Sequence, residues 1–138
     1  MNKYQIIERI PTVEEFTALR KAVGWISPDR SAASTGLSNS LYSICIEHDG
    51  KLIGFGRVIG DSGLYYYIQD VIVLPDYQGK GIGKMIMNEI IKYLQNNCLP
   101  NAFVGLMSAE NKEGFYKRYG FLERPNGIYG SGMFFTMG

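Results

Sequence analysis

The chain has 138 residues, 46% of them hydrophobic and 20% charged, with a formal net charge of +1. This size suits one domain, residues 1–138, with one sizeable core, and the near-neutral charge gives no global field favouring nucleic acid or an anionic membrane. No apolar run reaches the roughly 18 residues that span a bilayer, and no apolar stretch of signal-peptide type follows Lys3.

In chain order, Tyr4–Ile10 reads as an opening strand ended by Pro11. Thr12 caps a helix from about Val13 to Val23, with Glu15 completing a capping box; Phe16, Leu19 and Val23 share one face, and Gly24-Trp25 ends it. Pro28–Ser40 is rich in Ser and Asn and reads as a loop with a short helix. Leu41–Glu47 and Lys51–Ile59 are strands joined through His48-Asp49-Gly50, a hairpin signal. After the turn Asp61-Ser62-Gly63 comes a long strand, Leu64–Leu74, apolar on both faces beyond Ile68 as a central strand should be. A helix follows from Gly81 to about Asn96, its apolar stripe carried by Ile82, Ile86, Ile90 and Leu94. Ala102–Met107 reads as a strand, Asn111–Tyr119 as a short helix, Gly120-Phe121 as a helix stop leading into a strand, and Gly132–Thr136 as a last short strand. The order βαα-βββ-α-β-α-ββ predicts an α/β (α+β) fold. Its mixed, mostly antiparallel sheet has 6–7 strands, with about four helices on both faces.

The segment Val-Ile-Val-Leu-Pro-Asp-Tyr-Gln-Gly-Lys-Gly-Ile-Gly-Lys, residues 71–84, runs an apolar strand through a glycine-rich turn into a helix. Such a turn aims backbone N–H groups and the positive end of a helix dipole at one spot, as a phosphate site does. The spacing is wrong for a P-loop, because three residues separate Gly79 from Gly83 and Met85 stands where a Mg²⁺-ligating hydroxyl is needed. It is also wrong for a dinucleotide fingerprint, which needs a glycine or alanine where Ile86 stands. Cys45 and Cys98 show no CxxC or metal spacing and read as free thiols in a reducing, cytoplasmic setting. His48 is the sole histidine, which leaves little material for a His-based metal site or a Ser-His-Asp triad, and no metal is expected.

Gln78-Gly79-Lys80-Gly81-Ile82-Gly83 resembles motif A, Q/R-x-x-G-x-G/A, of the GNAT superfamily of acyl-CoA-dependent N-acyltransferases. Asn111 with Phe115-Tyr116-Lys117-Arg118-Tyr119-Gly120-Phe121 is similar to that superfamily's later segment. The resemblance covers nearly the whole chain, least over residues 25–40 and 124–138. It implies direct attack by a primary amine of a small molecule on acetyl-CoA, with coenzyme A as the only cofactor. The pyrophosphate would be held by the N–H groups from Gln78 to Lys84, that is Gln78, Gly79, Lys80, Gly81, Ile82, Gly83 and Lys84. The side chains of Lys80 and Lys84 either add charge there or stay solvated. The resemblance also places a bulge in the central strand, where N–H groups of Val71, Ile72 and Val73 would bind the pantetheine arm and polarise the thioester; the residues alone allow an unbroken ladder as well.

The same resemblance puts the general acid that protonates the departing thiolate at Tyr116, against a simply packed helix tyrosine, and lets Asn111 cap its helix or bond the pantetheine arm. Relatives of the glucosamine-6-phosphate and diamine acetyltransferase type carry a glutamate where this chain has Gln69, which cannot take a proton. The base is then Asp70 or ordered water. A carboxylate in an apolar strand must also be paired or solvated, and Arg57 on the preceding strand is the candidate partner. Trp25, Arg57, Tyr67 and Gln69 are candidate acceptor-binding residues. A further likeness to small bacterial relatives of plant serotonin acetyltransferases suggests an aromatic amine. Two other readings stay open: a protein or peptide N-acetyltransferase with an open groove, and an acetyl-CoA-binding sensor without turnover. A homodimer is among the arrangements the resemblance allows; neither nucleic acid nor membrane is expected as a partner.

Overall fold

At the first hairpin, Asp49 and Gly50 both take positive φ, 52° and 77°, the left-handed pair of a two-residue turn matched to strand twist. They join β2 (Tyr42–His48) to β3 (Lys51–Gly60). The computed structural model describes residues 3–138, and with β1 (Gln5–Glu8), β4 (Tyr65–Val73) and β5 (Phe103–Gly105) these strands form one sheet in the order β1-β2-β3-β4-β5. All neighbours are antiparallel except β4 and β5. A parallel pair needs a crossover, and the helix α3 (Ile82–Asn97) supplies it.

Helices cover both faces of this sheet. On one side α1 (Val13–Ala22) and α2 (Arg30–Ser38) bury Phe16, Leu19, Ala33 and Leu37 against Cys45, Leu52, Phe55 and Ile72. Helix α2 is longer than the Ser-rich stretch suggested. Asp29 caps it by accepting from the Ala32 amide at 2.9 Å, and its small residues form one turn after another behind Ala33 and Leu37. On the other side α3 buries Ile82, Ile86, Met87, Ile90 and Leu94. It can lie close because β3 presents Gly54 and Gly56 there: a Cβ on Gly54 would stand 2.9 Å from Ile82 Cγ2, and one on Gly56 2.7 Å from Ile86 Cγ2.

Residues up to 106 form one compact unit and residues 107–138 another. The second contains α4 (Glu113–Lys117) and an aromatic cluster in which Phe115 meets Tyr116 and Tyr119, and Tyr116 meets Phe121. The expected sheet of 6–7 strands is corrected to five: among the described residues, neither the segment after Gly120 nor Gly132–Thr136 pairs as a strand. The apolar run there is short and set among Gly130, Gly132 and Gly138. With no strand alongside, Met133, Phe134 and Phe135 stay 78–88% exposed, and a strand is held by cross-strand pairs rather than by composition.

The capping box at α1 forms as its sequence specifies: the Glu15 amide donates to Thr12 Oγ1 at 3.0 Å and the Thr12 amide to Glu15 Oε1 at 2.9 Å. Arg9 donates to the same carboxylate at 2.8 Å and to Glu47, tying α1 to the sheet. The Arg9 hydrogen bond, with the capping amide, lowers the Glu15 carboxyl from 4.5 to about 2. A depressed carboxylate stabilises the fold above its unfolded value and loses that contribution as pH falls through the folded one. Glu15→Gln should therefore lower stability at pH 7 by about 1 kcal/mol, since the pair is partly exposed and solvent screens it. In urea titrations across pH, the difference from wild type should shrink from pH 4.5 towards about 2.

Candidate active site

The glycine turn leaves β4 through Pro75–Tyr77, a single 3-10 turn. Gly79 and Gly81 then take positive φ, 77° and 83°, a conformation that side-chain-bearing residues rarely adopt. Gly81 is the N-cap of α3. The first bond of that helix runs from the Met85 amide to the Gly81 carbonyl at 3.1 Å, so the amides of Ile82, Gly83 and Lys84 precede the ladder. Side chains cap α1 and α2 but none caps α3. A Cβ built on Gly79 or Gly81 would meet nothing within 4 Å, so the concave side of the turn is open. Open amides, a helix N-terminus and no Cβ in the way fit a pyrophosphate. Lys80 and Lys84 are exposed beside it, and the Lys80 ammonium lies 5.5 Å from the Tyr77 ring centroid.

Upstream, β4 is bulged. Phe55 pairs with Ile72 and Arg57 with Gln69, so two residues, Asp70 and Val71, stand opposite Gly56 alone. Asp70 takes the left-handed conformation, φ 56°. Beyond the bulge the ladder resumes, and the Leu74 amide donates to the Ile53 carbonyl at 2.9 Å. Alternation then turns the Ile72 amide towards β3 and the amides of Val73 and Val71 towards the opposite edge. On that edge β5 pairs with β4 only at Tyr65, Tyr66 and Tyr67, leaving the end of β4 without a strand partner among the described residues. The Gln78 side chain folds back there and donates to the Val73 carbonyl at 3.0 Å, fixing the turn to the strand end.

Asp70 is 7% exposed and both its oxygens are engaged. Arg57 Nε donates to Oδ2 at 2.8 Å and Arg20 Nη1 to Oδ1 at 3.1 Å. Arg57 continues to the Gly36 carbonyl at 3.0 Å and Ser40 Oγ at 3.2 Å. Arg20 continues to the Ile26 carbonyl at 3.0 Å and lies over Trp25, 5.4 Å from the ring centroid. One carboxylate thus holds α1, the loop carrying Trp25, the end of α2 and the bulge of β4. The pairing of Asp70 with Arg57 is legible from two facing strands; Arg20, on a helix 50 residues away, is not. Its one signal was the burial itself, since a carboxylate facing a helical layer needs a cation from it.

Tyr67 and Gln69 precede the bulge, both half-buried. They share one face by alternation, and the Tyr67 ring lies against Gly105. Trp25 is 37% exposed. Tyr116 belongs to the 107–138 unit, on α4, where burial pushes its phenol above the ordinary tyrosine value. Asn111 is left-handed, φ 67°, and precedes the α4 N-cap, Lys112; no side chain caps that helix.

The family described as an acetyltransferase (GNAT) domain matches residues 39–123. An uncharacterized N-acetyltransferase from Gracilaria tenuistipitata var. liui is 32% identical over 134 residues, spanning 94% of this chain and 72% of its own. A histone acetyltransferase from Glycine max is 33% identical over 86% of this chain and 55% of its own. Among solved structures, a Staphylococcus aureus protein of unknown function described as a probable acetyltransferase is 34% identical. It superposes with a TM-score of 0.90 over 97% of this chain and 99% of its own.

Asp70→Asn keeps a residue that tolerates the left-handed conformation but removes the charge facing two guanidinium groups. Stability in chemical denaturation should fall by about 3 kcal/mol, as when one partner of a buried pair is lost. A loss below about 1 kcal/mol would show that the two arginines are satisfied elsewhere.

Proposed function

Since the chain belongs to the GNAT acetyltransferases, we propose that it moves the acetyl group of acetyl-CoA to a primary amine of a small molecule by direct attack. The observation that carries this is the pairing of two features on β4 and its extension. An uncapped helix N-terminus opens on left-handed glycines, and a bulged strand ends without a partner on one edge. Acetyl-CoA would supply the acyl group as a thioester, activated towards amines.

In this reading the amides from Gly79 to Lys84 hold the pyrophosphate, with Lys80 and Lys84 adding charge at the rim; the Gln78 amide, expected among them, is corrected, since it donates to the Pro75 carbonyl at 3.2 Å. The Val71 and Val73 amides face the open edge, where they orient the pantetheine arm and draw electron density from the thioester carbonyl. The Ile72 side chain stays in the core and steadies the strand. Tyr116 donates the proton that the sulfur needs, a role its raised pKa suits because the phenol stays protonated at neutral pH. Asn111 holds the amide groups of the pantetheine arm. Asp70 has both oxygens bound by guanidinium groups, which favours water over Asp70 as the carrier of the amine proton. Trp25, Tyr67 and Gln69 line the acceptor side, with Arg57 behind them.

The Glycine max relative gives a second reading weight, in which the amine belongs to a protein. Coenzyme A release over arylalkylamines, amino sugars and their phosphates, polyamines and basic peptides separates the two. Turnover of small amines is expected, and turnover of peptides alone would favour the second. Tight acetyl-CoA binding with no release from any acceptor would mark a sensor. With a good acceptor, Tyr116→Phe should lower kcat at least about 100-fold, and the wild-type rate should lose its acid only above the ordinary tyrosine range, because burial raises the phenol; an unchanged rate in the variant would remove the role from Tyr116.

A further inference from the structure

The guanidinium of Arg20 is held from three sides. Its Nε donates to the Ile26 carbonyl, its Nη1 to Asp70, and the rings of Trp25 and Phe16 lie 5.4 Å and 5.6 Å from its carbon. Nη2 has no hydrogen-bond partner among the described residues, and the side chain keeps 23% of its exposure. Arg57 is more deeply engaged, with Asp70, Gly36 and Ser40. Two guanidinium groups share one carboxylate, so the cluster carries one positive charge in excess. It sits where the bulge of β4 meets the loop bearing Trp25.

Building on the acetyl-transfer reading, we infer that the acceptor amine carries an anionic group, a carboxylate or a phosphate, which Arg20 receives through Nη2 while Trp25 covers the adjoining part of the molecule. A guanidinium already oriented by Asp70, Ile26 and Trp25 loses little further freedom on binding an anion, and charge-assisted bonds to it are among the stronger polar contacts. A long polycation would bring like charge to the same place and be disfavoured.

Trp25 is the sole tryptophan, so its emission reports on the guanidinium stacked on it. With excess coenzyme A present to fill the glycine turn, inorganic phosphate and acetate are titrated at constant ionic strength against chloride. A saturable change in emission is expected with at least one of them. It should weaken about tenfold in Arg20→Lys, which loses the fork but keeps the charge, and vanish in Arg20→Gln. A drift no different from chloride, or a saturable change unaltered in Arg20→Lys and Arg20→Gln alike, would overturn the inference.

Turnover is compared in matched pairs, tryptophan with tryptamine and glucosamine 6-phosphate with glucosamine. The anionic member of at least one pair should show a KM at least about tenfold lower, and which pair responds tells carboxylate from phosphate. Neutral members turned over as well as anionic ones would overturn the inference and leave acetyl transfer standing. A saturable anion signal without release of coenzyme A from any amine would uphold the anion site and remove the acetyl-transfer reading.

Discussion

Residue 70 holds a left-handed backbone in the middle of a strand, φ 56°, which costs most side-chain-bearing residues about 1–2 kcal/mol and an aspartate less. Charge-assisted hydrogen bonds from Arg20 and Arg57, each worth about 1.5–3 kcal/mol, offset that strain and fix where the ladder slips. From the slip follows the direction of every amide between Val71 and Leu74, and hence which of them face the unpartnered edge. The same carboxylate draws in α1 and the end of α2. The strand geometry proposed for the donor and the wall proposed for the acceptor therefore depend on one ion cluster.

The glycine turn is placed by a steric device on the opposite face. Gly54 and Gly56 leave no side chain between β3 and α3, and the isoleucines of α3 descend into that space. A helix seated so closely has little freedom to slide, so its uncapped N-terminus stays in register with the strand end. Gln78 adds the local tie by bonding the Val73 carbonyl. Backbone amides need such fixing more than side chains do, because a phosphate site made of amides cannot adjust by changing rotamers.

Much of this was readable from local chemistry. The Thr12–Glu15 capping box, the Asp49–Gly50 hairpin and the apolar stripe of α3 each arise from residues close in sequence, and the glycine spacing set aside a P-loop and a dinucleotide fingerprint. What escaped depends on distant partners. Arg20 meets Asp70 across 50 positions, and nothing local distinguishes it from a solvated helix arginine. The bulge, which the resemblance implied and the structure contains, cannot be seen in Gln69-Asp70-Val71 alone because it arises from a mismatch with Gly56. The expected strand at Gly132–Thr136 had the right composition but no strand to pair with among the described residues. In α2 the cap at Asp29 was a local signal, masked by the surrounding serines.

The slip in β4 also acts as a shift of reading frame. Before it, odd-numbered residues such as Tyr67 and Gln69 look towards α1 and α2, while Tyr66 lies beside Tyr93 and Cys98 at the α3 side. After it the parity inverts: Ile72 joins the α1 and α2 core and Val71 approaches the α3 side next to Gly56. One inserted residue thus lets a single strand serve two phases, with polar positions on the α1 and α2 side first and core positions on that same side afterwards. A chain that deleted one residue here would keep all its other chemical groups, yet those on one side of the deletion would face the opposite layer.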